Sequence, residues 1–274
     1  MPSFDEVGFL SEELEQWKRA AHEAYADAFA YAYRANAIAL RVMKSIPLER
    51  IPEEIQWAIA AFARAMSAFE GCVLMIERGA MADARALARL CAETVIVAKG
   101  LAIVPGTLEI LREDDANHDL GVINRLLEFN AQRPDADPAF IAQALEKKAE
   151  LEARFPNRRS VNYRTLALAT GLAMFYEVAY RYTSGDGAHA TLGAFVRHMK
   201  QGNDGEPDAF FFGPDVAGMA STLLCACVAV TELIDLAVGH MGREEDAAEL
   251  SDLKLHWHII RHDLEARAAT ENGN

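Results

Sequence analysis

Proline and glycine are scarce in this chain, 9 and 17 of its 274 residues, and aromatic residues make up only 8%. Alanine alone supplies 50. A chain so poor in helix breakers and so rich in the best helix former is neither collagen-like nor low in complexity, and it points to an all-α fold. A long hydrophobic run is also missing. The longest uncharged stretch, from Val216 to Thr231, falls short of the roughly 20 apolar residues that span a bilayer, and Glu232 and Asp235 follow it. It reads as a helix buried at the centre of a bundle. The opening residues, Met-Pro-Ser-Phe-Asp-Glu, lack the basic and apolar regions of a signal peptide. These features predict a soluble cytoplasmic protein with no membrane partner.

Basic residues are in deficit, 27 against 41 acidic, for a formal charge of −14. Such a chain repels phosphate backbones at long range, so broad capture of DNA or RNA is not expected, although a small local basic pocket could still act on RNA. The cysteines are only four: Cys72, Cys91, Cys225 and Cys227. None form a C-x-x-C pair, and Cys225 and Cys227 stand about 200° apart around a helix. They read as small apolar core residues in a reducing compartment. A glycine-rich phosphate loop, a G-x-S-x-G elbow and a dinucleotide fingerprint are likewise lacking, which disfavours the usual nucleotide-binding and hydrolase classes. No cofactor and no metal is expected.

What is present is helical periodicity divided by proline and glycine. The breakers predict about nine helices in one domain, residues 1–274: about 11–44, 52–79, 80–99, 107–131, 138–154, 160–182, 189–200, 215–240 and 244–267. Gly100 is expected to cap the third helix. Residues 202–214 are expected to be the longest irregular loop, with Phe210, Phe211 and Phe212 plugged into the core. Two apolar seams are evident. Tyr25, Phe29 and Tyr33 continue a side begun by Trp17 and Ala21. Leu250, Leu253, Trp257, Ile260 and Leu264 repeat at spacings of three and four. The aromatic stripe reads as core, whereas the Leu250–Leu264 seam could pack within the chain or against a second copy, so a homo-oligomer is an arrangement it allows.

Three polar constellations carry candidate chemistry. His256, His258 and His262 cluster on the last helix. His258 and His262 share a flank, but the H-E-x-x-H arrangement is absent, and a solvated helix edge is the expectation. Arg112 and His118 form an arginine followed after five residues by a histidine. This pattern resembles the R-x4–6-H motif of the higher eukaryotic and prokaryotic nucleotide-binding (HEPN) helical proteins. The resemblance implies metal-independent RNA cleavage, with His118 moving the 2′-hydroxyl proton and Arg112 neutralising the phosphorane. Against it, Asp114, Asp115 and Asp119 would repel a phosphate.

The third constellation begins with Arg85, Arg89 and Glu93 on successive turns, Arg89 and Glu93 lying at the edge of the apolar arc. Much later come Tyr176, Glu177, Tyr180, Ser184 and His189 at a helix junction. Together the segments resemble the bacterial domain-of-unknown-function family 5677. Its pattern, Ala-x(4)-Arg-x(3)-Glu and then Tyr-x(3)-Ser-x(4)-His, falls here on Ala84, Arg89 and Glu93, then Tyr180, Ser184 and His189. Leu90 and Cys91 depart from the small or hydroxylic residues commoner after the arginine, and Gly185-Asp186-Gly187 precedes the histidine. The family implies an all-α fold and no established activity. The leading expectation is an interaction or small-molecule-binding module built on Arg89, Glu93, Tyr180, Ser184 and His189. The alternative is a HEPN-like ribonuclease using Arg112 with His118, or Arg89 with His189.

Overall fold

The structure, a computed structural model, describes residues 3–180, 192–196, 198–201 and 207–271. The fold is all-α. Its principal helices are α1 (Leu14–Ala24), α2 (Ala26–Lys44), α3 (Glu53–Glu77), α4 (Met81–Ile103), α5 (Thr107–Ala131), α6 (Pro138–Arg154), α7 (Tyr163–Ala169), α8 (Met219–His240) and α9 (Ala247–Glu271). The breakers explain most boundaries. Pro52 and two acids open α3. Asp137 caps α6 by accepting a bond from the Ala139 amide, with Pro138 in the first turn.

α8 is the axis. Of its 22 residues 15 are buried, and α2, α3, α4 and α9 pack around it. A helix apolar on all sides needs cover on all sides. By length and composition α3 and α8 could each cross a membrane, but 72% of the apolar window of α8 is buried inside the fold, as in a core helix. Alanines line the contacts: Ala84, Ala88 and Ala92 on α4 and Ala220, Ala226 and Ala229 on α8 are at most 1% exposed. All four cysteines lie unpaired in this core, and burial pushes their thiols upward in pKa, those of Cys91 and Cys225 to about 12. The Leu250–Leu264 seam is buried against the chain itself, so it is not free to face a second copy. Lys99 of α4 ties to α8 through Glu232 and, at 3.5 Å, Asp235.

Several boundaries differ from expectation. The first expected helix divides at Tyr25, whose φ of −124° and ψ of 36° leave the helical region. Gly100 does not cap α4 but lies within it. A Cβ there would stand 2.6 Å from Leu166, so the glycine lets α7 approach. The expected 160–182 helix breaks at Thr170–Gly171, where Gly171 adopts φ +75°. The chain resumes as a short turn, Ala173–Phe175, and a π-helical turn, Tyr176–Tyr180. The expected loop contains part of a two-stranded antiparallel hairpin, Met199–Gln201 with Pro207–Phe210. The strand ends at Phe210 on the surface, and none of the three phenylalanines joins the buried core, so they form no plug. Phe210 is 83% exposed, while Phe212 meets Phe4 and Phe9 at the surface.

α5 and α6 form an antiparallel arm with its own small core of Ala116, Leu120 and Leu151. At the other side, α1 is fastened by one buried carboxylate. Glu77, the last residue of α3, receives Lys18 Nζ and His22 Nε2 at 2.9 Å each, and the Tyr33 hydroxyl. His22 stacks on Phe29 at 4.1 Å. Burial alone would raise the Glu77 pKa. The bonds from Tyr33, Lys18 and His22 outweigh burial and hold it below the ordinary 4.5. Its contribution to stability is therefore complete above pH 4.5 and fades as pH falls through the lower folded value. Glu77→Gln should cost about 1–3 kcal/mol at pH 7 in urea unfolding, and the difference from wild type should shrink toward pH 3. A pH-independent difference would contradict this account of the clasp.

Candidate functional site

Two helix faces of α4 do different work. Ala84, Ala88, Cys91, Ala92 and Val95 are buried in the core, whereas Arg89, Leu90, Glu93, Thr94 and Val97 look toward α3, α5 and the α7 region. Arg89 Nη2 donates to the Tyr180 hydroxyl at 3.1 Å, and its guanidinium carbon stands 4.9 Å from the Tyr180 ring centroid. The Glu93 carboxylate is 3.9 Å from Arg89 Nη2. Arg89 Nε is buried with no hydrogen-bond partner among the described residues.

The broken segment after α7 supplies the aromatic wall. The i→i+5 turn sets residues four apart nearly over one another. Tyr176 and Tyr180 accordingly stack at 4.9 Å and 18°. Tyr163, at the start of α7, stacks on the other side of the cluster at 5.8 Å from Tyr180. Its hydroxyl lies close enough to Glu93 to feel that carboxylate. Burial, then the charge and hydrogen bond of Glu93, and more weakly Asp114, raise the Tyr163 pKa. Arg89, Glu93 and Tyr180 thus come together with Tyr163 and Tyr176. Ser184 and His189 lie outside the described residues. Arg85 is buried one turn before Arg89.

Glu93 also faces a groove of about 510 Å³ between α3, α4 and α5. Leu90, Val97, Leu101, Leu108 and Leu111 form its apolar walls with Trp57, which is 53% exposed. Arg64, Glu93, Thr94, Arg112 and Asp115 provide its polar groups. Arg112, from the second sequence constellation, therefore reaches the same groove as Glu93 from the third. Its guanidinium is held between Glu53 and Glu109. His118 is exposed and lies six residues further along α5, about 120° around the helix axis from Arg112. Asp115 has its pKa raised by burial and by Asp114 and Asp119, partly offset by His118.

On α9, His258 and His262 are exposed, while His256 lies edge-on to Tyr31 at 5.8 Å. Among the described residues no group of three His, Cys, Asp or Glu is placed to hold a metal ion. Sequence reasoning named Tyr176 beside Tyr180 but missed Tyr163, Trp57 and Asp115 as site residues. One available signal was the concentration of tyrosine: four of the seven, Tyr163, Tyr176, Tyr180 and Tyr182, fall within 20 residues. The groove had no comparable signal, because three separate helices build it.

The Glu93–Tyr163 contact is directly testable. Glu93→Gln should move the Tyr163 phenol back toward its ordinary pKa, read by NMR of ring-labelled tyrosine during a pH titration. An unmoved Tyr163 would contradict the contact.

A search of curated proteins finds no match, and a search of solved structures finds none. The family model described as "Family of unknown function (DUF5677)" matches residues 56–207, which run from α3 through the start of the hairpin's second strand. That match covers more than half of the chain and contains Trp57, Arg89, Glu93, Arg112, Tyr163 and Tyr180. The chain belongs to the DUF5677 family.

Proposed function

We propose that this protein is a binding module whose ligand, a small molecule, occupies the groove between α3, α4 and α5. The observation that carries this reading is the double position of Glu93. It lines the groove, is paired with Arg89 and acts at the same time on the neighbouring Tyr163 phenol. A polar group fixed from behind by a stacked tyrosine wall is pre-organised, so little order is lost when it meets a ligand. The volume and the mostly apolar lining with few polar groups are those of ordinary small-molecule sites. A cytoplasmic setting is part of the proposal, supported by the burial of α8.

The ribonuclease reading stands second. Arg112 is already paired with two carboxylates, and Asp114, Asp115 and Asp119 surround His118 with negative charge. RNA incubated with the protein in EDTA should remain intact. Cleavage by wild type that His118→Ala or His189→Ala abolishes, in a folded mutant, would reverse the order of the two readings.

The groove itself is tested by an environment-sensitive apolar dye with Trp57 fluorescence as the second signal. Ala60→Trp, at an exposed position on the groove wall, should fill the space and remove dye binding while changing stability by less than about 0.5 kcal/mol. Undiminished dye binding in that variant would place the ligand elsewhere.

A further inference from the structure

The groove's charges are uneven in a way that its lining residues alone conceal. Arg112 is neutralised by Glu53 and Glu109, which stand beside it. Glu93 is only loosely balanced by Arg89, at 3.9 Å. Asp115 makes no ion pair among the described residues, and Asp114 and Asp119 add negative potential around it. The field of Asp114 extends to Tyr163, beside Glu93. The charged groups lining the groove balance, Arg64 and Arg112 against Glu93 and Asp115; it is Glu53 and Glu109 around Arg112, with Asp114 and Asp119 beside Asp115, that make the surroundings of this apolar slot and its exposed Trp57 ring net negative.

We propose that the groove selects an organic cation, an amine or quaternary ammonium group carried on an apolar chain or ring. This inference rests on the binding reading above and deepens it. The apolar part lies along Leu90, Val97, Leu101, Leu108 and Leu111. The cationic head takes its countercharge from Asp115 and Glu93, with the face of Trp57 available for cation–π attraction. Association brings a charge of opposite sign to a chain of net charge −14, so the whole-molecule field assists it.

Arg64 is the opposing consideration. It lines the groove and makes no ion pair among the described residues. It is also exposed, so its long side chain can carry the guanidinium into water while its stem stays on the apolar wall. The two ligand classes therefore respond to it in opposite directions. An anionic ligand would need Arg64; a cationic ligand would gain or lose nothing when it is removed, or bind more tightly.

The experiment is calorimetric titration of the full-length protein with three probes of equal chain length: octyltrimethylammonium, octanesulfonate and octanol. The ammonium should bind at least about tenfold more tightly than octanol, and the sulfonate more weakly still. Asp115→Asn should weaken ammonium binding about tenfold, whereas Asp27→Asn, a charge loss on α2 away from the groove, should not. Arg64→Ala should leave the ammonium affinity unchanged or raised. Equal or tighter binding of octanol or the sulfonate, lost in Ala60→Trp, would overturn the cationic class and leave the groove reading standing. Ammonium binding that Asp115→Asn and Ala60→Trp both leave intact would overturn the site. Failure of all three probes to bind would remove the groove reading, and this inference with it.

Discussion

The all-round burial of α8 constrains everything else in the molecule. A helix with 15 of 22 residues buried has no solvent face along most of its length, so four neighbours must reach it at once. Small side chains make that geometry attainable, because alanine at the contacts lets helix axes approach closely without cavities. α4 is the neighbour that matters most for the site. Its Ala84–Ala88–Ala92 side is committed to the core, which obliges the Arg89–Glu93–Val97 side to face outward. The Lys99 ion pairs with Glu232 and Asp235 fix the same helix near its far end. The position of Glu93 is thus a consequence of how α8 is covered.

Electrostatics and packing then divide the surface into regions with different roles. On the α1 side a buried carboxylate, Glu77, is fully used by three donors and serves only to hold a helix in place. Around the groove the carboxylates are less completely matched, and one of them, Asp115, though exposed, has its proton affinity raised by partial desolvation and by its acidic neighbours. Matched acids stabilise a fold, whereas incompletely matched ones beside an apolar slot leave attraction available for something else. The stacked tyrosines reinforce the distinction. They brace Arg89 and Glu93 from behind and leave the groove side open.

Much of the architecture was legible because its signals are local. Asp137-Pro138 marks the start of α6 through capping and ring geometry, and the uncharged run before Glu232 identifies α8 as the central helix. Gly100 was misread because a helix-ending glycine and a close-contact glycine look alike in sequence; only the partner, Leu166, distinguishes them. The break at Gly171 was missed for the related reason that an isolated glycine in a helical pattern is ambiguous without its φ. Phe210-Phe211-Phe212 suggested a plug, yet Phe210 ends an exposed strand and Phe212 packs at the surface on Phe4 and Phe9. At the site, Arg89, Glu93 and Tyr180 were legible as motif residues. Tyr176 was legible as a neighbour of Tyr180, but its stacking, and Tyr163 altogether, were not, since both depend on a broken helix. The meeting of Glu93 with Arg112 across one groove is a long-range packing result that no spacing rule encodes.

Backbone and methyl NMR of the full chain, recorded while octyltrimethylammonium is added, would test the central claim most directly. Shifts confined to Leu90, Glu93, Val97, Leu101, Leu108, Leu111 and the Trp57 indole are the predicted result, with the α9 and hairpin signals unmoved. Saturating shifts that centre elsewhere and spare α3, α4 and α5 would contradict it.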